Sequence, residues 1–505
     1  MAKVFIEETS LTAIGNAIRA KTGGTDMLTV PTGMVNAIAS ITTGGGEVVD
    51  SHAWEDWRLS GNSYIPFYFN DRITYLDVGG LAGAKITNVN LPNVEGLGEI
   101  SLAKMSSLSN VNIPKVTRIY TNAFQNTGDY NNGFDMSAPE VTYIDSYAFY
   151  NSYLKAAIFP KVTELNGDMF YGNQKLMVAS FPSLVTSGNF VNAFNYCGNL
   201  KCVDMPKFTE IPYGTFGQNY DTTSLQYLTL PGCTRVSGSF QGAYGLLKID
   251  LGQCQNIGSY TFDCPNLNTL VLRYNGVCNL EQSATAEFSS TKICSDKTGY
   301  VYVPAAQVNA YKTATNWVSI ASQIRAIEDY ENELIFGCIY DESITEITDA
   351  QYQTNKEITG VHLSNLTTMS NASIFNQCSN LVYANLPAAT SIQGFYACEN
   401  LQYVSAPEAL TLKDHAFYRC SKLTKLDFPK MNMVNSNAFE GCDSLNALIF
   451  RRTANMVYPV SDPWGSNTSY PTLYVPAALI SKYQENQYWS KCTIEPIEGS
   501  IYEEV

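Results

Sequence analysis

One apolar pattern that ends in proline recurs along most of this chain. Each copy begins with an apolar residue, places two further apolar residues three and five positions later, and closes with proline. The pattern occurs as LSNVNIP (108–114), LKAAIFP (154–160), LMVASFP (176–182), LKCVDMP (200–206), LQYLTLP (225–231), LVYANLP (381–387), LQYVSAP (401–407) and LTKLDFP (423–429). The prolines at the repeat position, which are 92, 114, 139, 160, 182, 206 and 231, follow one another at intervals of 21 to 25 residues. Such a period predicts a solenoid in which each repeat is one turn.

A second apolar element follows each proline and ends in an aromatic residue. It reads VTRIYTNAF (116–124), VTYIDSYAF (141–149), FTEIPYGTF (208–216), LKDHAF (412–417) and MVNSNAF (433–439). The period of two before the proline predicts a strand, and the Ala-Phe pair predicts a tight turn or a short helix over the core. Each repeat buries roughly eight apolar side chains, and each of them stabilises the fold by about 1.5–3 kcal/mol. This stabilisation is only about as large as the free energy lost when the backbone of about 22 residues is ordered. A single repeat is therefore not expected to fold without its neighbours.

Five cysteines share one position in the repeat, three residues after the aromatic residue. They are Cys197, Cys378, Cys398, Cys420 and Cys442. Equivalent positions of a solenoid stack in a column, and a small apolar side chain suits a crowded inner position. The 13 cysteines are odd in number, include no CxxC pair and follow an N-terminus that does not resemble a signal peptide. We therefore expect buried, reduced, structural thiols.

The array occurs twice, each time with its own ends. YVPAAQVNAYKTATNW (302–317) and YVPAALISKYQENQYW (474–489) align with an offset of 172 residues, and each predicts a strand followed by a helix. Solenoid ends need caps because they otherwise leave apolar side chains and backbone unpaired. The predicted domains are a helical segment (1–43), a linker and lead-in (44–64), array A with its cap (65–327), a joint (328–333) and array B with its cap (334–505). The joint is too short for a free tether, so the two arrays are expected to touch.

The repeat pattern LxxVxLPxVTxIxxxAFxxCxxL resembles that of the BspA-type leucine-rich repeat family. The two exit segments resemble the caps of such arrays in proteins of gut bacteria and their phages. This resemblance implies an α/β repeat solenoid in two capped arrays, used for adhesion or partner binding, without a shared catalytic activity or cofactor. The chain departs from the pattern at Gly252, which replaces the proline, and near Gly128 and Gln218, where the repeats are longer.

Residues 1–43 lie outside the repeats and predict a short helical hairpin. Ser10 is a plausible N-cap, and Gly23-Gly24 ends the first helix. The segment resembles an N-terminal part of tail and fibre-like proteins encoded by phages of Gram-positive gut bacteria, which implies attachment to the virion. The apolar residues expected to make that attachment are Leu11, Ile14, Ile18, Met34 and Ile38. The alternative is a hairpin that packs on the end of its own solenoid.

Composition excludes several classes of protein. The formal net charge is −15 and there is no basic run, so neither nucleic acid nor an anionic membrane is an expected partner. No stretch is apolar for long enough to span a bilayer. Nucleotide-binding, metalloprotease and hydrolase motifs are absent, and the chain has only three histidines. We therefore expect no enzyme activity and no cofactor, although a paired-carboxylate glycosidase remains the alternative among enzymes.

Two local patterns provide candidate binding residues. Asp129, Asn131, Asp135 and Glu140 have the spacing of a calcium loop, but Phe134 stands where the turn needs glycine, so calcium is a weak candidate and a polar insertion is the alternative. Tyrosines among Ser and Asn are typical of surfaces that bind through rigid amphipathic contacts. The candidates for receptor binding are Tyr130, Tyr220, Tyr227, Tyr383 and Tyr403, with ordinary solvated sheet surface as the alternative.

The sequence thus favours a non-enzymatic virion protein of a phage tail, made in the host cytoplasm. It is expected to bind a tail or baseplate protein through residues 1–43 and to present its repeats to a bacterial surface protein, a glycan or another virion protein. A homo-oligomer is possible, although no coiled-coil heptad supports one. The alternative is a bacterial surface adhesin of the same repeat family, located at the cell surface, and a carbohydrate-active enzyme is a third reading.

Overall fold

A computed structural model describes the backbone of residues 65–69, 73–186, 190–217 and 224–503, and the side chains of these ranges from residue 73 onward. The predicted hairpin (1–43) and the lead-in (44–64) lie outside the described residues. The remainder forms a parallel β-solenoid, as the repeat predicts.

A typical turn of the solenoid contains two strands separated by the proline turn, and each strand pairs in parallel with its equivalent in a neighbouring turn. In a representative repeat the first strand is Asn110–Asn112 and the second is Arg118–Ile119. Val111, Ile119 and Phe124 point into the core and are buried. Asn110 pairs in register with Asn88 of the preceding turn and with Asp135 of the next. The alternation in the sequence therefore places one set of side chains inside and the other on an outward surface.

We call the strands before the proline position front strands, and their outward surface the front face. The front strands are Ile65–Phe69, Ile86–Asn90, Asn110–Asn112, Asp135–Ser137, Ala156–Ile158, Val178–Ser180, Cys202–Asp204, Tyr227–Thr229, Lys248–Asp250, Thr269–Val271, Tyr300–Val303 and Ile324–Ala326 in array A, and Gly337–Tyr340, Ile358–His362, Tyr383–Asn385, Tyr403–Ser405, Lys425–Phe428, Ala447–Phe450, Thr472–Val475 and Thr493–Pro496 in array B. Each front strand that pairs with a neighbour does so in parallel.

The second strands of the repeats are two residues long and form their own parallel sheets. They are Tyr75–Leu76, Gly96–Leu97, Arg118–Ile119, Tyr143–Ile144, Glu164–Leu165, Glu210–Ile211, Arg235–Val236, Asn256–Ile257 and Asn279–Leu280 in array A, and Glu346–Ile347, Thr368–Met369, Ser391–Ile392, Thr411–Leu412, Met433–Val434 and Tyr458–Pro459 in array B.

Left-handed backbone, not a helix, closes most repeats after the second strand. The residues two positions before and two after the core phenylalanine have positive φ, as at Asn122 (57°) and Asn126 (54°) around Phe124. Asn, Gly and Asp tolerate this conformation best. A segment with a left-handed residue every few positions cannot form a right-handed helix. Of the two closures that the sequence left open, the tight turn is therefore the one that forms.

Helices in the described residues are short and belong mainly to the ends of the arrays. The α-helices are Ala284–Glu287, Val308–Thr313 and Ile480–Glu485, and the 3-10 helices are Ala305–Gln307, Val318–Gln323, Glu331–Leu334, Ala477–Leu479 and Trp489–Lys491. The α/β solenoid is thus confirmed with little helix.

The two exit caps are built alike, as their common sequence predicts. In array A the Tyr311 hydroxyl accepts a hydrogen bond from the backbone N–H of Cys278 (2.9 Å), and the Trp317 indole donates to the carbonyl of that same residue (2.7 Å). In array B, Tyr483 and Trp489 make the same two bonds to Val457, both at 2.8 Å. The buried polar atoms of these large rings are satisfied, so the rings can close the ends of the core.

A column of aromatic rings fills the core of each array. In array A, Phe124, Phe149 and Phe170 lie with centroids 4.9 and 5.2 Å apart, and the column continues to Phe288 and Trp317. In array B, Phe439 lies 5.2 Å from Trp464, which is fully buried and belongs to the cap core. Each turn therefore completes the burial of its neighbour.

The cysteine column lies beside the aromatic column. The thiol of Cys398 donates to the carbonyl of Phe375 (3.0 Å), Cys420 donates to Phe395 (3.1 Å), and Cys442 donates to Phe417 (3.1 Å). All five cysteines of the repeat position are buried, and all 13 are free thiols. The prediction of a buried column is confirmed, and its weak donors connect consecutive turns.

Candidate functional site

The front faces of the two arrays lie against each other. Ala156, Val178 and Cys202 of array A form one apolar cluster with Cys338, Val382 and Tyr383 of array B. Gly360 belongs to the same contact, because a Cβ at this residue would collide with the Cys202 Sγ. The expectation that the arrays touch is confirmed, and the contact covers the surface on which solenoids often bind.

A buried polar network crosses this contact. The Tyr383 hydroxyl lies 3.0 Å from the Ser180 Oγ, which donates to an Asp204 carboxylate oxygen at 2.6 Å. His362 Nδ1 approaches the two oxygens of the same carboxylate at 2.9 and 3.0 Å. Asp204 is fully buried, and its charge is offset by these donors. The network thus joins Ser180 and Asp204 of array A to His362 and Tyr383 of array B.

Further contacts extend the interface on both sides of the network. Tyr340 of array B accepts a hydrogen bond from the Met205 backbone at 3.2 Å and donates to the Val203 carbonyl at 3.1 Å. Lys248 of array A forms an ion pair with Glu357 of array B at 2.7 Å. Burial raises the pKa of Tyr340 well above its ordinary value, so this phenol stays protonated and can keep donating.

The C-terminal segment, which we define as residues 500–503 at the end of array B, also returns to array A. The amide of Asn90 donates to the carbonyl of Ser500 (2.9 Å), and that of Asn112 donates to the carbonyl of Glu503 (3.0 Å). Arg451 donates to the carbonyl of Tyr502 (2.8 Å). This segment bridges the two front faces at the end of the interface.

The three predicted front-strand tyrosines project outward from their own array, but the opposite array covers two of them. Tyr383 is 1% exposed and belongs to the network above. Tyr227 is partly buried beside Phe336, with ring centroids 6.4 Å apart. The alternative of an ordinary solvated sheet surface is therefore wrong for Tyr383, and Tyr227 is only partly solvated. Receptor binding by these tyrosines stays a prediction.

Tyr403 lines a cleft of about 540 Å³ between the arrays. The cleft also includes Asp135 and Lys155 of array A, Lys425 of array B, and Tyr502 of the C-terminal segment. Burial, and then Asp135, raise the pKa of Tyr403 well above its ordinary value. Of the predicted tyrosines, Tyr403 and the buried Tyr383 line this space, which is large enough for a small molecule.

The remaining predicted residues have separate outcomes. Tyr130 is 67% exposed, packs edge-on against Tyr153 at 5.6 Å, and has the Lys175 ammonium 6.0 Å from its ring centre. Tyr220 lies outside the described residues. So do the predicted attachment residues, which are Leu11, Ile14, Ile18, Met34 and Ile38.

The calcium spacing does not produce a calcium site. Asp129 caps its own turn, accepting from the backbone of Asn131 and Asn132. Asp135 pairs with Lys155, and Glu140 pairs with Lys161. Phe134 stands at the position where a calcium loop needs glycine. Its side chain is buried in the core, so the backbone here does not take the conformation of such a loop. Among the described residues, no group of three His, Cys, Asp or Glu could hold a metal ion.

Two exposed aromatic patches, one on each array, were not predicted from the sequence. In array A, Tyr150 stacks on Tyr171 (centroids 5.1 Å apart, planes 7° apart), and Tyr147 meets Tyr150 edge-on at 5.6 Å. Tyr196 extends this patch, 5.1 Å from Tyr171. Tyr147 and Tyr196 are exposed, and the stacked pair is partly exposed.

Array B repeats this arrangement. Tyr396 stacks on Tyr418 (4.6 Å, 6°), and the exposed His415 lies 5.4 Å from Tyr418. The Arg419 guanidinium lies 5.3 Å from the Tyr418 ring centre. We call these surfaces patch A (Tyr147, Tyr150, Tyr171, Tyr196) and patch B (Tyr396, His415, Tyr418, Arg419). Their common signal was the sequence YAFY at 147–150 and HAFY at 415–418, where the alanine and the phenylalanine belong to the core and the first and last residues do not.

Family comparison agrees with this geometry. Residues 74–189, 190–298, 310–394 and 329–446 match the BspA type leucine rich repeat region, with six copies. The chain belongs to the BspA-type leucine-rich repeat family. No curated protein matches the sequence of this BspA-type chain. The family match begins at residue 74, so the resemblance of residues 1–43 to phage tail proteins stays a prediction.

Solved structures similar to this BspA-type chain include three bacterial proteins. A leucine-rich repeat protein from Bacteroides ovatus is 17% identical, with 86% of this chain and 92% of that chain covered and a TM-score of 0.28. A leucine rich cell surface protein from Faecalibacterium prausnitzii is 16% identical (78% and 89% covered, TM-score 0.25), and a leucine-rich repeat protein from Eubacterium ventriosum is 15% identical (78% and 86%, 0.24). No helix in the described part of the BspA-type chain is long and apolar enough to cross a membrane.

Proposed function

We propose that this protein is a non-enzymatic binding protein that engages a bacterial surface receptor through patch A and patch B. The observation that carries the proposal is that both arrays expose the same stacked tyrosine arrangement while their front faces cover each other. Stacked tyrosines present large, rigid amphipathic surfaces at a low cost in side-chain entropy. Two such patches on one chain allow bivalent contact, in which the second binding event is intramolecular.

The N-terminal resemblance adds a location to this proposal. Residues 1–43 attach the chain to a phage tail or baseplate protein, and the repeats project from the virion. This part rests on the sequence resemblance alone. A test in the full chain replaces Ile14 and Ile18 with Asp and measures capture of the tail proteins encoded beside it. Loss of capture is expected, and unchanged capture contradicts attachment through this apolar stripe.

The second candidate is a bacterial surface adhesin, favoured by membership of the repeat family. The two proposals differ in where the protein is found in its native host. Fractionation with virions supports the tail protein, and fractionation with the surface of uninfected cells supports the adhesin. Both require a binding surface, so the patch experiment below applies to either.

The patches are tested by binding of the fluorescently labelled full chain to host cells. Tyr150→Ala and Tyr418→Ala are each expected to weaken binding about tenfold, since removing an interface tyrosine commonly costs about 1–2 kcal/mol. The double variant is expected to lose avidity as well. Tyr458→Ala is the matched control, because Tyr458 is 61% exposed and lies outside both patches. Wild-type binding by the double variant contradicts the proposal.

A further inference from the structure

The cleft between the arrays has the features of a binding site that is separate from the surface patches. Its volume of about 540 Å³ falls within the range of about 300–1,000 Å³ that is usual for small-molecule sites. Array A, array B and the C-terminal segment all contribute to its walls. A ligand there contacts parts of the chain that are far apart in sequence, and it binds only while the arrays stay packed together.

The charges that line the cleft are balanced. Asp135 forms an ion pair with Lys155 within the wall. Asp427 receives a bidentate contact from Arg451, with its closest distance at 2.6 Å. The Lys425 ammonium lies 5.7 Å from the centre of the Tyr502 ring. The four charged side chains of the lining are two carboxylates and two ammonium groups, so their formal charges sum to zero.

The uncharged polar groups give the cleft its hydrogen-bonding capacity. Tyr403 stands on its wall, and within the described part of the chain its hydroxyl has no hydrogen-bond partner. Ser405 is exposed two residues further along the same strand, and Gln402 and Asn446 add amide groups. Hydroxyls and amides both donate and accept, which suits a ligand that carries many hydroxyls.

Apolar groups provide the remaining contact area. Met136, Ile158 and Ala447 line the cleft beside the Tyr403 ring. A sugar ring has an apolar face and a rim of hydroxyls, and this wall offers both an aromatic surface and hydrogen-bonding groups. A peptide or nucleotide carries several charges, whereas the Lys425 ammonium is the one charged group of the lining that has no ion-pair partner among the described residues. The lining therefore offers at most one charged partner to such a ligand.

We propose that the cleft between the two arrays, lined by Tyr403, Ser405 and Asn446, binds a neutral mono- or disaccharide. The ligand sits between the front faces, with its hydroxyls on Tyr403 and the amides and its apolar face on the tyrosine ring. This site is independent of patches A and B, so either proposal can fail without the other.

The test uses the full chain with glucose, galactose, N-acetylglucosamine and the disaccharides lactose and cellobiose as probes. Saturation-transfer NMR and calorimetry are expected to find at least one of these probes bound with a dissociation constant of about 1 mM or tighter. Galacturonic acid is the charged comparison and is expected to bind more weakly than galactose. Absence of binding by every neutral probe overturns the proposal, and so does tighter binding of galacturonic acid.

Two variants locate the bound sugar. Ser405→Trp fills the cleft from an exposed position and is expected to weaken binding more than tenfold. Tyr403→Phe keeps the ring, removes one hydrogen bond and is expected to weaken binding about fivefold. The controls are Ser481→Trp, at an exposed helix position of array B, and Tyr458→Phe, at an exposed tyrosine. If Ser405→Trp disturbs folding, Tyr403→Phe still decides the question. Unchanged affinity in Tyr403→Phe, or equal losses in the controls, contradicts binding at this cleft.

Discussion

His362 Nδ1 lies 2.9 Å from a carboxylate oxygen of Asp204, although the two residues belong to different arrays and are 158 positions apart in sequence. Asp204 is fully buried, and it also accepts a hydrogen bond from Ser180. Each array can build its own core, so contacts of this kind determine how the arrays are arranged. The proposed cleft depends on that arrangement.

Removing the carboxylate is expected to destabilise the contact between the arrays. Asp204→Ala leaves Ser180 and His362 without their shared acceptor and should cost about 3–5 kcal/mol in the free energy of unfolding. Urea denaturation of the full chain measures this cost. Asp443→Ala, at an exposed aspartate of array B, is the control and should change stability by less than about 0.5 kcal/mol. A double-mutant cycle with His362→Ala should give a coupling energy of about 1–3 kcal/mol. Strict additivity would argue against a direct interaction.

The aromatic column makes a second prediction. Phe417 is fully buried and lies 5.7 Å from Phe395, ring centre to ring centre. Phe417→Ala is expected to leave a cavity and to cost about 3–5 kcal/mol, measured by urea denaturation. Tyr458→Ala, which removes a ring of similar size from an exposed position, should have little effect. An unchanged unfolding midpoint in Phe417→Ala would contradict the assignment of the column to the core.

The sequence predicted the features that repeat, because every repeat solves the same packing problem. The inward positions, the phenylalanine and cysteine columns and the two exit caps follow from residues such as Phe417, Cys420 and Trp489, which recur at fixed spacings. The contact between the arrays was predicted only as a contact. Ala156, Val178 and Cys202 stand at the outward strand position that Asn110 occupies in an earlier repeat. This change from polar to apolar residues was the signal that another surface covers the middle of array A.

The repeat pattern could not predict the cleft or the aromatic patches, and the reasons differ. Tyr383 and Tyr403 occupy equivalent positions of consecutive repeats and both line the cleft, yet Tyr383 is buried and Tyr403 is only partly buried. That difference depends on where array A and the C-terminal segment lie, which a repeat cannot encode. Tyr150 and Tyr418 adjoin core phenylalanines, and only the left-handed turns show that these tyrosines point outward.

Gly252 supports a prediction at the point where the proline of the repeat is missing. Its φ is 48°, and a Cβ there would lie 2.5 Å from the carbonyl carbon of Pro231. Gly79 has a φ of 72° with nothing within 4 Å of its Cβ position, so Gly79→Ala isolates the cost of left-handed backbone, about 1–2 kcal/mol. Gly252→Ala should cost at least twice as much because it adds a backbone collision. Equal unfolding free energies for the two variants would show that a collision with the Pro231 backbone does not destabilise Gly252→Ala.

Restoring the repeat pattern at this position is also expected to destabilise the protein. Proline fixes φ near −65° and has no N–H, whereas the Gly252 N–H donates to Asp250 Oδ1 at 2.8 Å. Gly252→Pro should therefore lower the urea midpoint relative to the wild type. A midpoint at or above that of the wild type would show that the turn tolerates the proline conformation of the other repeats.

The buried thiols make stability depend on alkaline pH. Burial raises the pKa of Cys378, Cys442 and Cys492 to about 12, whereas an exposed thiol in the unfolded chain ionises near pH 8.5. Below about pH 8.5 both states hold the proton, and the stability contribution is complete. As the pH rises further, only the unfolded chain releases the proton. Each such thiol then removes about 1.4 kcal/mol of stability per pH unit, until the pH reaches the pKa of the folded protein.

Cys442→Ala tests this linkage one proton at a time. At pH 7 the variant should be less stable than the wild type, because it loses packing and the weak hydrogen bond to the Phe417 carbonyl. At pH 10 the difference in unfolding free energy between the wild type and the variant should have shifted by about 2 kcal/mol in favour of the variant, because alanine has no proton to lose. Urea denaturation from pH 7 to 10 under reducing conditions measures the gap. Ser421→Ala, which removes a hydroxyl that does not titrate, should keep a constant offset. A Cys442→Ala offset that is equally constant would mean that this thiol ionises alike in the folded and unfolded chains.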